Sequence, residues 1–220
     1  MATAENLRSI EKYRRKASGY DATTGPTWPI RQRCIERLRL AEGDIVLDVG
    51  CGTGLSFEPL LRAVGRRGRL IAFEQSPEMF AQAAARAGAL RGQGWQVELL
   101  HASAEDVRLP APPDAALWHY VHDITRTPAA LDNLFAQFPP GMRLAVAGMK
   151  FFPWWLAPLN LYAWLKNRPY NVRAHEMRQP WSLLAPRLAG FAWEPTQWGM
   201  GYLGSGCVST ASASERNSRW

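Results

Sequence analysis

One segment constrains the fold of this chain more than any other, an apolar run that leads into closely spaced glycines. The run 44–49 is β-branched and apolar apart from Asp44, at its start, and Asp48, as expected of a short strand buried on both faces of a sheet. Three alternate glycines follow it: Gly50, Gly52 and Gly54. Residues 55–64 then have helical spacing. A strand, a glycine turn and a helix place backbone N–H groups at the carboxyl edge of a sheet, so the segment predicts a ligand-binding loop.

The spacing of the glycines discriminates between cofactors. A dinucleotide fingerprint, Gly-x-Gly-x-x-Gly, would require a glycine where Leu55 stands, which disfavours a nicotinamide oxidoreductase. The observed pattern is Gly-x-Gly-x-Gly with Asp48 two residues before the first glycine. In this pattern the chain resembles the class I S-adenosylmethionine-dependent methyltransferases of the small-molecule and lipid type. The resemblance implies S-adenosylmethionine as the cofactor.

The same resemblance implies a location for the methionine part of the cofactor. The loop backbone would lie beneath it, and Asp48 would lie near the methionyl ammonium, directly or through water. A carboxylate is a suitable partner for that cation. The implied loop residues are Gly50, Cys51, Gly52, Thr53 and Gly54.

A second predicted strand, 68–74, also ends in an acid. Glu74 has two acceptor oxygens and could accept hydrogen bonds from both hydroxyls of a ribose. The resemblance implies this role for Glu74 and places Gln75, Ser76 and Met79 around the ribose and adenine. Ser76 also has the sequence context of a helix N-cap, with Pro77 at the first helical position of a helix over 76–86.

A third predicted strand, 97–101, leads to the residues expected near the adenine. Many relatives have Asp-Ala where this chain has Ser103 and Ala104, and in them the acid contacts the adenine amino group. A serine hydroxyl accepts such a hydrogen bond more weakly than a carboxylate does. The Ala104 backbone is therefore the better candidate of the two.

Candidates for catalysis follow the fourth predicted strand, in the run Trp-His-Tyr-Val-His-Asp over 118–123. The resemblance implies that Trp118 and His119 border the cofactor and that His122 and Asp123 lie near the acceptor pocket. A histidine suits proton transfer near neutral pH, which makes His122 the candidate base and His119 more a cofactor contact, although methyl transfer needs a base only where the acceptor loses a proton. The alternative, that these residues simply begin a helix with His122 in the core, stays open.

A further resemblance covers 13–21, which in many small-molecule methyltransferases forms part of a lid. Tyr20 could cover the sulfonium through a cation–π contact, whereas the alternative makes it a packing residue at a helix end. Tyr13 is left without an assigned role.

Alternating strand and helix patterns predict repeated βα units and therefore a parallel sheet. Expected strands lie near 44–49, 69–73, 96–100, 114–118 and 142–148, and expected helices near 4–18, 29–40, 55–64, 77–87 and 127–137. The resemblance adds a closing antiparallel pair, near 193–198 and 202–208. The predicted fold class is α/β, a doubly wound, mostly parallel, seven-stranded Rossmann-like sheet with helices on both faces. We expect a single methyltransferase domain over 1–209, with an N-terminal helical lid (1–40), a cofactor-binding core (41–150), an aromatic lid or acceptor insert (151–190), closing strands (191–209) and a disordered tail (210–220).

Composition bears on the partners. The formal net charge is +7, and half of the 26 basic residues precede Leu70. This excess indicates either an anionic partner or solvated helix faces, and short runs spread over several helices favour the second.

The Asn-Pro-Pro-Tyr type motif of amino-methylating nucleic-acid enzymes does not follow the fourth strand, which makes nucleic acid an unlikely substrate. The three cysteines have no metal-binding spacing, which predicts no metal site and a reduced, cytoplasmic protein.

The most informative segment for the acceptor is 151–165, which is rich in aromatic residues and has no charged residue. It is too short to span a bilayer. It could line an acceptor pocket, pack on the sheet edge or lie at a membrane surface. The resulting hypothesis is a metal-free methyltransferase for a small, lipophilic acceptor. The alternatives are a phospholipid or quinone methyltransferase with peripheral membrane contact, and a catalytically silent S-adenosylmethionine-binding partner protein.

Overall fold

A computed structural model describes residues 25–151 and 178–210. Their strands form one seven-stranded sheet in the order β3-β2-β1-β4-β5-β7-β6. The strands are β1 (Ile45–Val49), β2 (Arg69–Glu74), β3 (Val97–His101), β4 (Ala115–His119), β5 (Arg143–Met149), β6 (Leu188–Thr196) and β7 (Gly201–Val208). The first five pair in parallel, and β7 pairs antiparallel with both β5 and β6. The predicted fold class is confirmed, including its antiparallel C-terminal pair.

The described helices cover both faces of this sheet. They are α1 (Trp28–Arg37), α2 (Phe57–Val64), α3 (Pro77–Gly92), α4 (His122–Thr125) and α5 (Pro128–Phe135). Helix α1 ends earlier than expected because Arg39 has a φ of 48°, which a helix does not allow. Helix α3 continues past the expected end because Ala87 and Leu90 are buried against the sheet and extend its apolar face.

Alternation along the central strands divides the core into two layers. Val46 packs in the layer that contains α1, α2 and α3, whereas Leu47 and Val49 pack in the layer that contains α5. Asp48 has the same parity as Val46, so its side chain is on the α1 side of the sheet. The same rule separates Trp118, in the α5 layer, from its neighbour His119.

Several expectations lie outside the described residues. They are the helix over 4–18 with Tyr13 and Tyr20, most of the aromatic insert 151–165, and the tail after residue 210. Within residues 25–151 and 178–210, no helix has both the length and the apolar character needed to cross a membrane. The same residues contain no group of three or more His, Cys, Asp or Glu side chains that could hold a metal ion.

Candidate active site

A cleft opens at the carboxyl ends of β1, β2 and β4, the edge where a doubly wound sheet binds its ligand. Its walls come from the glycine loop after β1, the turn after β2, the segment after β3 and the residues from the end of β4 through α4. The predicted site residues that line it are Gly50, Gly52, Glu74, Gln75, Met79, Ala104, His119 and His122. The fold thus brings together residues that are far apart in the sequence.

The three loop glycines all have positive φ, yet their surroundings differ. A Cβ on Gly50 would lie 2.9 Å from Cγ1 of Val121, and one on Gly54 would lie 2.7 Å from Cε2 of Phe57. A Cβ on Gly52 would meet no atom within 4 Å. Gly50 and Gly54 therefore make room for protein side chains, whereas Gly52 presents bare backbone to the open cleft.

Glu74 connects the glycine loop to the turn after β2. These two segments form the donor end of the cleft, where the sequence predicts the methyl donor. Its Oε2 accepts a hydrogen bond from the Gly52 N–H at 2.9 Å, and its Oε1 accepts one from the Ser76 N–H at 2.7 Å. Burial raises the pKa of Glu74 above its ordinary value, and these backbone donors oppose that rise. The Gln75 N–H also donates to this carboxylate, so three of its four lone-pair sites are used and one remains. The carboxylate can thus hold the loop and still accept a hydrogen bond from a ligand hydroxyl.

Asp48 lies behind the loop rather than in the cleft wall. Its side chain is almost fully buried, and Oδ2 has no hydrogen-bond partner among the described residues. Burial raises the pKa of Asp48 to about 7, with the nearby Arg31 guanidinium lowering it and the Glu74 carboxylate raising it further. A buried carboxylate oxygen without a partner, beside a glycine-rich loop, suits a cationic ligand group.

His119 lies in the cleft wall at the end of β4. It is 8% exposed, and neither ring nitrogen has a hydrogen-bond partner among the described residues. Burial, followed by the Arg31 and His122 charges, holds the pKa of His119 well below its ordinary value. The ring is therefore neutral at physiological pH.

His122 begins α4 and faces both the cleft and β5. Its Nε2 accepts a hydrogen bond from the Met149 backbone N–H at 3.0 Å. Because Nε2 accepts, the proton of the neutral ring is on Nδ1. While this bond is kept, the neutral ring of His122 has no second lone pair with which to accept a proton.

Backbone strain accompanies the two histidines. Tyr120, between them in the sequence, has a φ of 60°, which is uncommon for a residue with a Cβ. Its N–H donates to the Ala147 carbonyl at 2.8 Å, and its ring meets the His119 ring at a centroid distance of 4.6 Å. Packing thus fixes an unfavourable backbone conformation at the centre of the cleft, as is common at functional sites.

Other predicted residues lie outside the cleft lining. Trp118 is fully buried and packs against Phe135 at a centroid distance of 6.5 Å, because strand alternation turns it toward α5. Ser103 donates to Asp106 at 2.9 Å, and Ser76 is at the N-cap position but donates to Glu78 at 3.3 Å instead of capping α3. The remaining predicted residues outside the lining are Cys51, Thr53 and Gly54, while Tyr20 is outside the described residues.

Sequence reasoning missed Arg31, which it had placed among the solvated basic residues. Arg31 is 6% exposed and donates a hydrogen bond to Oγ of Ser56, directly before α2. A signal was present in the sequence, because Arg31 shares the buried helical face with Cys34 and Ile35 at spacings of three and four residues.

Comparison with known proteins indicates a methyltransferase domain, as the sequence pattern predicts. Residues 46–141 match the family model described as "Methyltransferase domain". A search of curated proteins gave no match. A Haloferax volcanii structure, a complex of the Trm112 methyltransferase activator with a protein described as a methyltransferase, is similar with a TM-score of 0.68 and 15% identity. That alignment covers 92% of this chain and 98% of the other.

Two further structures show the range of similar proteins. The N-methyltransferase NodS from Bradyrhizobium japonicum, solved with S-adenosylhomocysteine, has a TM-score of 0.63 at 16% identity, covering 91% of this chain and 97% of NodS. A Clostridium thermocellum protein described as an rRNA methylase has a TM-score of 0.52 at 16% identity, covering 83% and 96%. At these identities the structures show a shared fold.

The residues present suit S-adenosylmethionine. Gly52 leaves bare backbone where a side chain would fill the cleft, Glu74 has acceptor capacity at the end of β2, and Asp48 has an orphaned oxygen for a cation. Residues 46–141 thus match a methyltransferase domain, and the loop and the order of the seven strands support a class I S-adenosylmethionine-dependent methyltransferase.

Proposed function

We propose that this enzyme methylates a small, lipophilic acceptor without a metal. The observation that carries the proposal is a row of aromatic side chains that begins beside His122, which lines the cleft, and ends at an exposed tryptophan. A Cβ on Gly148 would lie 2.7 Å from the His122 ring and 2.9 Å from the Tyr202 ring, so these two rings flank the same glycine. Trp181 packs against Tyr202 at a centroid distance of 4.9 Å and against Trp193 at 4.2 Å.

This row has the character expected of an apolar binding surface. Tyr202 is buried, whereas Trp193 is 43% exposed. Phe73, Met79, Val121 and Ile124 add apolar side chains to the cleft itself. Small-molecule sites combine such an apolar lining with a few polar groups, which His119 and His122 supply here.

The donor end of the cleft is assigned from its own contacts. We propose that Gly52, Glu74, Gln75, Met79 and Ala104 bind the cofactor directly. Gly50 also lines the cleft, and we propose that it gives the loop its close approach to the cofactor. We propose supporting roles for the predicted residues outside the lining, which are Asp48, Cys51, Thr53, Gly54, Ser76, Ser103 and Trp118. Tyr20, outside the described residues, stays a proposed cofactor contact. When bound, S-adenosylmethionine supplies a methyl group on a sulfonium leaving group, so alignment and exclusion of water provide much of the acceleration.

The two histidines receive different roles. His119 is neutral and has both ring nitrogens without partners, so we propose it as the proton acceptor where the acceptor must lose a proton. His122 is bound to Met149 through Nε2, and we propose that it orients the acceptor as a hydrogen-bond donor through Nδ1. The low pKa of His119 makes it a weak base, which favours acceptors that are themselves acidic or already nucleophilic.

Surface charge favours a small acceptor over nucleic acid. Many of the arginines that make the chain basic have carboxylate partners at the surface, in the pairs Arg33–Glu194, Arg37–Glu194, Arg62–Glu58, Arg67–Glu42 and Arg69–Glu98. Nucleic-acid binding depends on cationic side chains that are available to phosphates. The rRNA methylase description of one similar structure makes RNA the second candidate.

Two measurements test the proposal. Calorimetry with S-adenosylhomocysteine tests the donor site, and absence of binding would contradict it. We expect Glu74→Ala to weaken that binding by about 1–3 kcal/mol, since hydrogen bonds to a charged group are lost. Turnover that collapses while affinity is retained would show that Glu74 has a different role.

A panel of acceptors tests the other half. Apolar phenols, amines and quinones, together with total tRNA and rRNA, would be offered with labelled cofactor. Labelling of the small acceptors supports the proposal, and labelling of RNA alone overturns it. Binding of cofactor without labelling of any acceptor in the panel or in cell extract would favour the silent partner protein.

The membrane alternative has its own discriminator. Liposome co-sedimentation that weakens on changing Trp154 and Trp155 to alanine would favour a phospholipid or quinone acceptor at the membrane surface. We further propose the domain organisation stated above, with the lid 1–40 and the insert 151–190 on either side of the cofactor-binding core.

A further inference from the structure

We propose that Arg31 is a positioning residue of the cofactor site, which fixes the base of the glycine loop and favours the negatively charged form of the Asp48 carboxylate for a cationic ligand group. The proposal rests on the proposed function, because it takes the methionyl ammonium as that group. The proposal goes beyond that function because it gives α1, outside the glycine motif, an effect on the pH range in which the cofactor binds.

The first support is the position of the guanidinium. Arg31 is 6% exposed, although arginine is rarely buried without a partner. Its Nη1 donates to Oγ of Ser56, which is fully buried and whose carbonyl accepts the Leu60 N–H at 3.0 Å. Arg31 therefore connects α1 to the start of α2, immediately after the last glycine of the loop.

The second support is a set of polar atoms without partners, on Arg31 itself and on two residues that its charge acts on. Arg31 Nε, Asp48 Oδ2 and both ring nitrogens of His119 lack hydrogen-bond partners among the described residues. The Arg31 charge acts on both Asp48 and His119. Buried polar atoms are normally paired, so this concentration indicates a site that is completed by a ligand.

The third support is the balance of charge at Asp48. The groups that interact with it are Arg31 and Cys34 from α1, Cys51 from the loop and Glu74 from β2. Burial raises the pKa of both thiols, so they are neutral, and Glu74 is an acid. Among these groups, only Arg31 is a cation that favours the ionised carboxylate.

A pH dependence of binding follows. With a pKa of about 7, Asp48 is neutral in acid and loses its attraction for an ammonium group. Cofactor affinity should therefore fall as pH falls through about 7. Removal of Arg31 raises the pKa of Asp48, so the midpoint of that fall should move to higher pH.

The experiment measures the affinity for S-adenosylhomocysteine by calorimetry, at pH values on both sides of the midpoint, for the wild type and four variants. Arg31→Gln removes the cation and Arg31→Lys retains it. Arg33→Gln is the matched control, because Arg33 is on the same helix but half exposed and paired with Glu194. Asp48→Asn removes the titrating group, and melting curves check that each variant is folded.

We expect Arg31→Gln to shift the midpoint upward and to weaken affinity at neutral pH by about tenfold for each unit of pKa shift. Arg31→Lys should stay near the wild-type midpoint, Arg33→Gln should match the wild type, and Asp48→Asn should bind weakly without that pH dependence. A uniform loss at every pH in Arg31→Gln, with an unshifted midpoint, would reduce Arg31 to a structural residue and overturn the proposal. An Arg31→Gln variant whose affinity depends on pH as the wild type's does would also overturn the proposal. A wild type without affinity at any pH would instead contradict the proposed function.

Discussion

The two ends of the cleft are built differently. At the donor end, the Glu74 oxygens accept the Gly52 and Ser76 N–H groups, and the loop presents open backbone at Gly52. At the other end, the His119 nitrogens have no partners among the described residues, and Tyr120 adopts a left-handed backbone conformation. Hydrogen bonds stabilise the donor end. The other end keeps ring nitrogens that can still form hydrogen bonds, and a strained backbone at Tyr120.

This difference indicates how the two ends divide their tasks. An end whose loop is already held by hydrogen bonds is preorganised and can bind one ligand reproducibly. The other end has ring nitrogens without hydrogen-bond partners, which a bound acceptor would satisfy. Such groups suit the end of the cleft where the acceptor is protonated or deprotonated. Variants at each end should therefore change different quantities.

The largest expected effect concerns the two histidines. His119→Ala should lower turnover on the order of 10²-fold, with cofactor affinity nearly unchanged, if the acceptor loses a proton to it. Steady-state kinetics with an identified acceptor, alongside calorimetry, measures both quantities.

His122→Ala is the matched comparison at the same end. It leaves the Met149 N–H without its partner, which should lower the free energy of unfolding by about 1–3 kcal/mol, measured by denaturant titration. A larger loss of turnover in His122→Ala than in His119→Ala would reverse the roles assigned to the two rings.

The next effect belongs to the donor end. Gly52→Ala should weaken S-adenosylhomocysteine binding by about 1–3 kcal/mol, because the positive φ at this position disfavours a residue with a Cβ and the new Cβ enters the open cleft. Gly50→Ala is the internal comparison, since its Cβ would collide with Val121 and Ile124 and so should lower the melting temperature as well. Equal loss of stability in both variants would show that Gly52 also serves packing.

The last expected effect concerns Asp48, the carboxylate that is buried behind the glycine loop. Burial raises the folded-state pKa of Asp48 from 3.8 to about 7, so the folded protein binds a proton more tightly than the unfolded chain does. Stability from this group is therefore present at low pH and is lost as pH rises from about 4 to about 7.

Asp48→Asn removes that dependence. Relative to the wild type, the variant should gain on the order of a few kcal/mol in unfolding free energy between acid and mildly alkaline pH. Denaturant titrations at both pH values measure the gain, with the exposed Asp106→Asn as the control. A constant difference at both pH values would mean that Asp48 does not titrate in this range.

The donor end could be predicted from the sequence because its determinants are local. Asp48, the alternate glycines and Glu74 are close to strand ends that apolar patterning locates within a residue or two, and parallel strands bring those ends to one edge. The boundaries of α1 and α3 were less accurate, since a left-handed Arg39 and the burial of Leu90 depend on tertiary packing.

The other end could not be predicted in the same way because its contacts are long-range. The hydrogen bond from Met149 to His122 joins β5 to α4, and it decides which nitrogen carries the proton. Trp118 was expected beside the cofactor, but strand alternation directs it into the α5 layer and leaves His119 at the cleft. Arg31 was hidden among exposed arginines, and only the packing of α1 shows that it is buried.

The Glu74 carboxylate has a consequence for local motion. Because one side chain accepts the N–H groups of both Gly52 and Ser76, the loop after β1 and the start of α3 cannot open independently without breaking that pair of bonds. Their amide hydrogens should therefore exchange with solvent in a single opening event and acquire the same protection, despite their separation in the sequence. The donor end would then open in solution as one cooperative unit, at a rate that depends on the hydrogen bonds of Glu74.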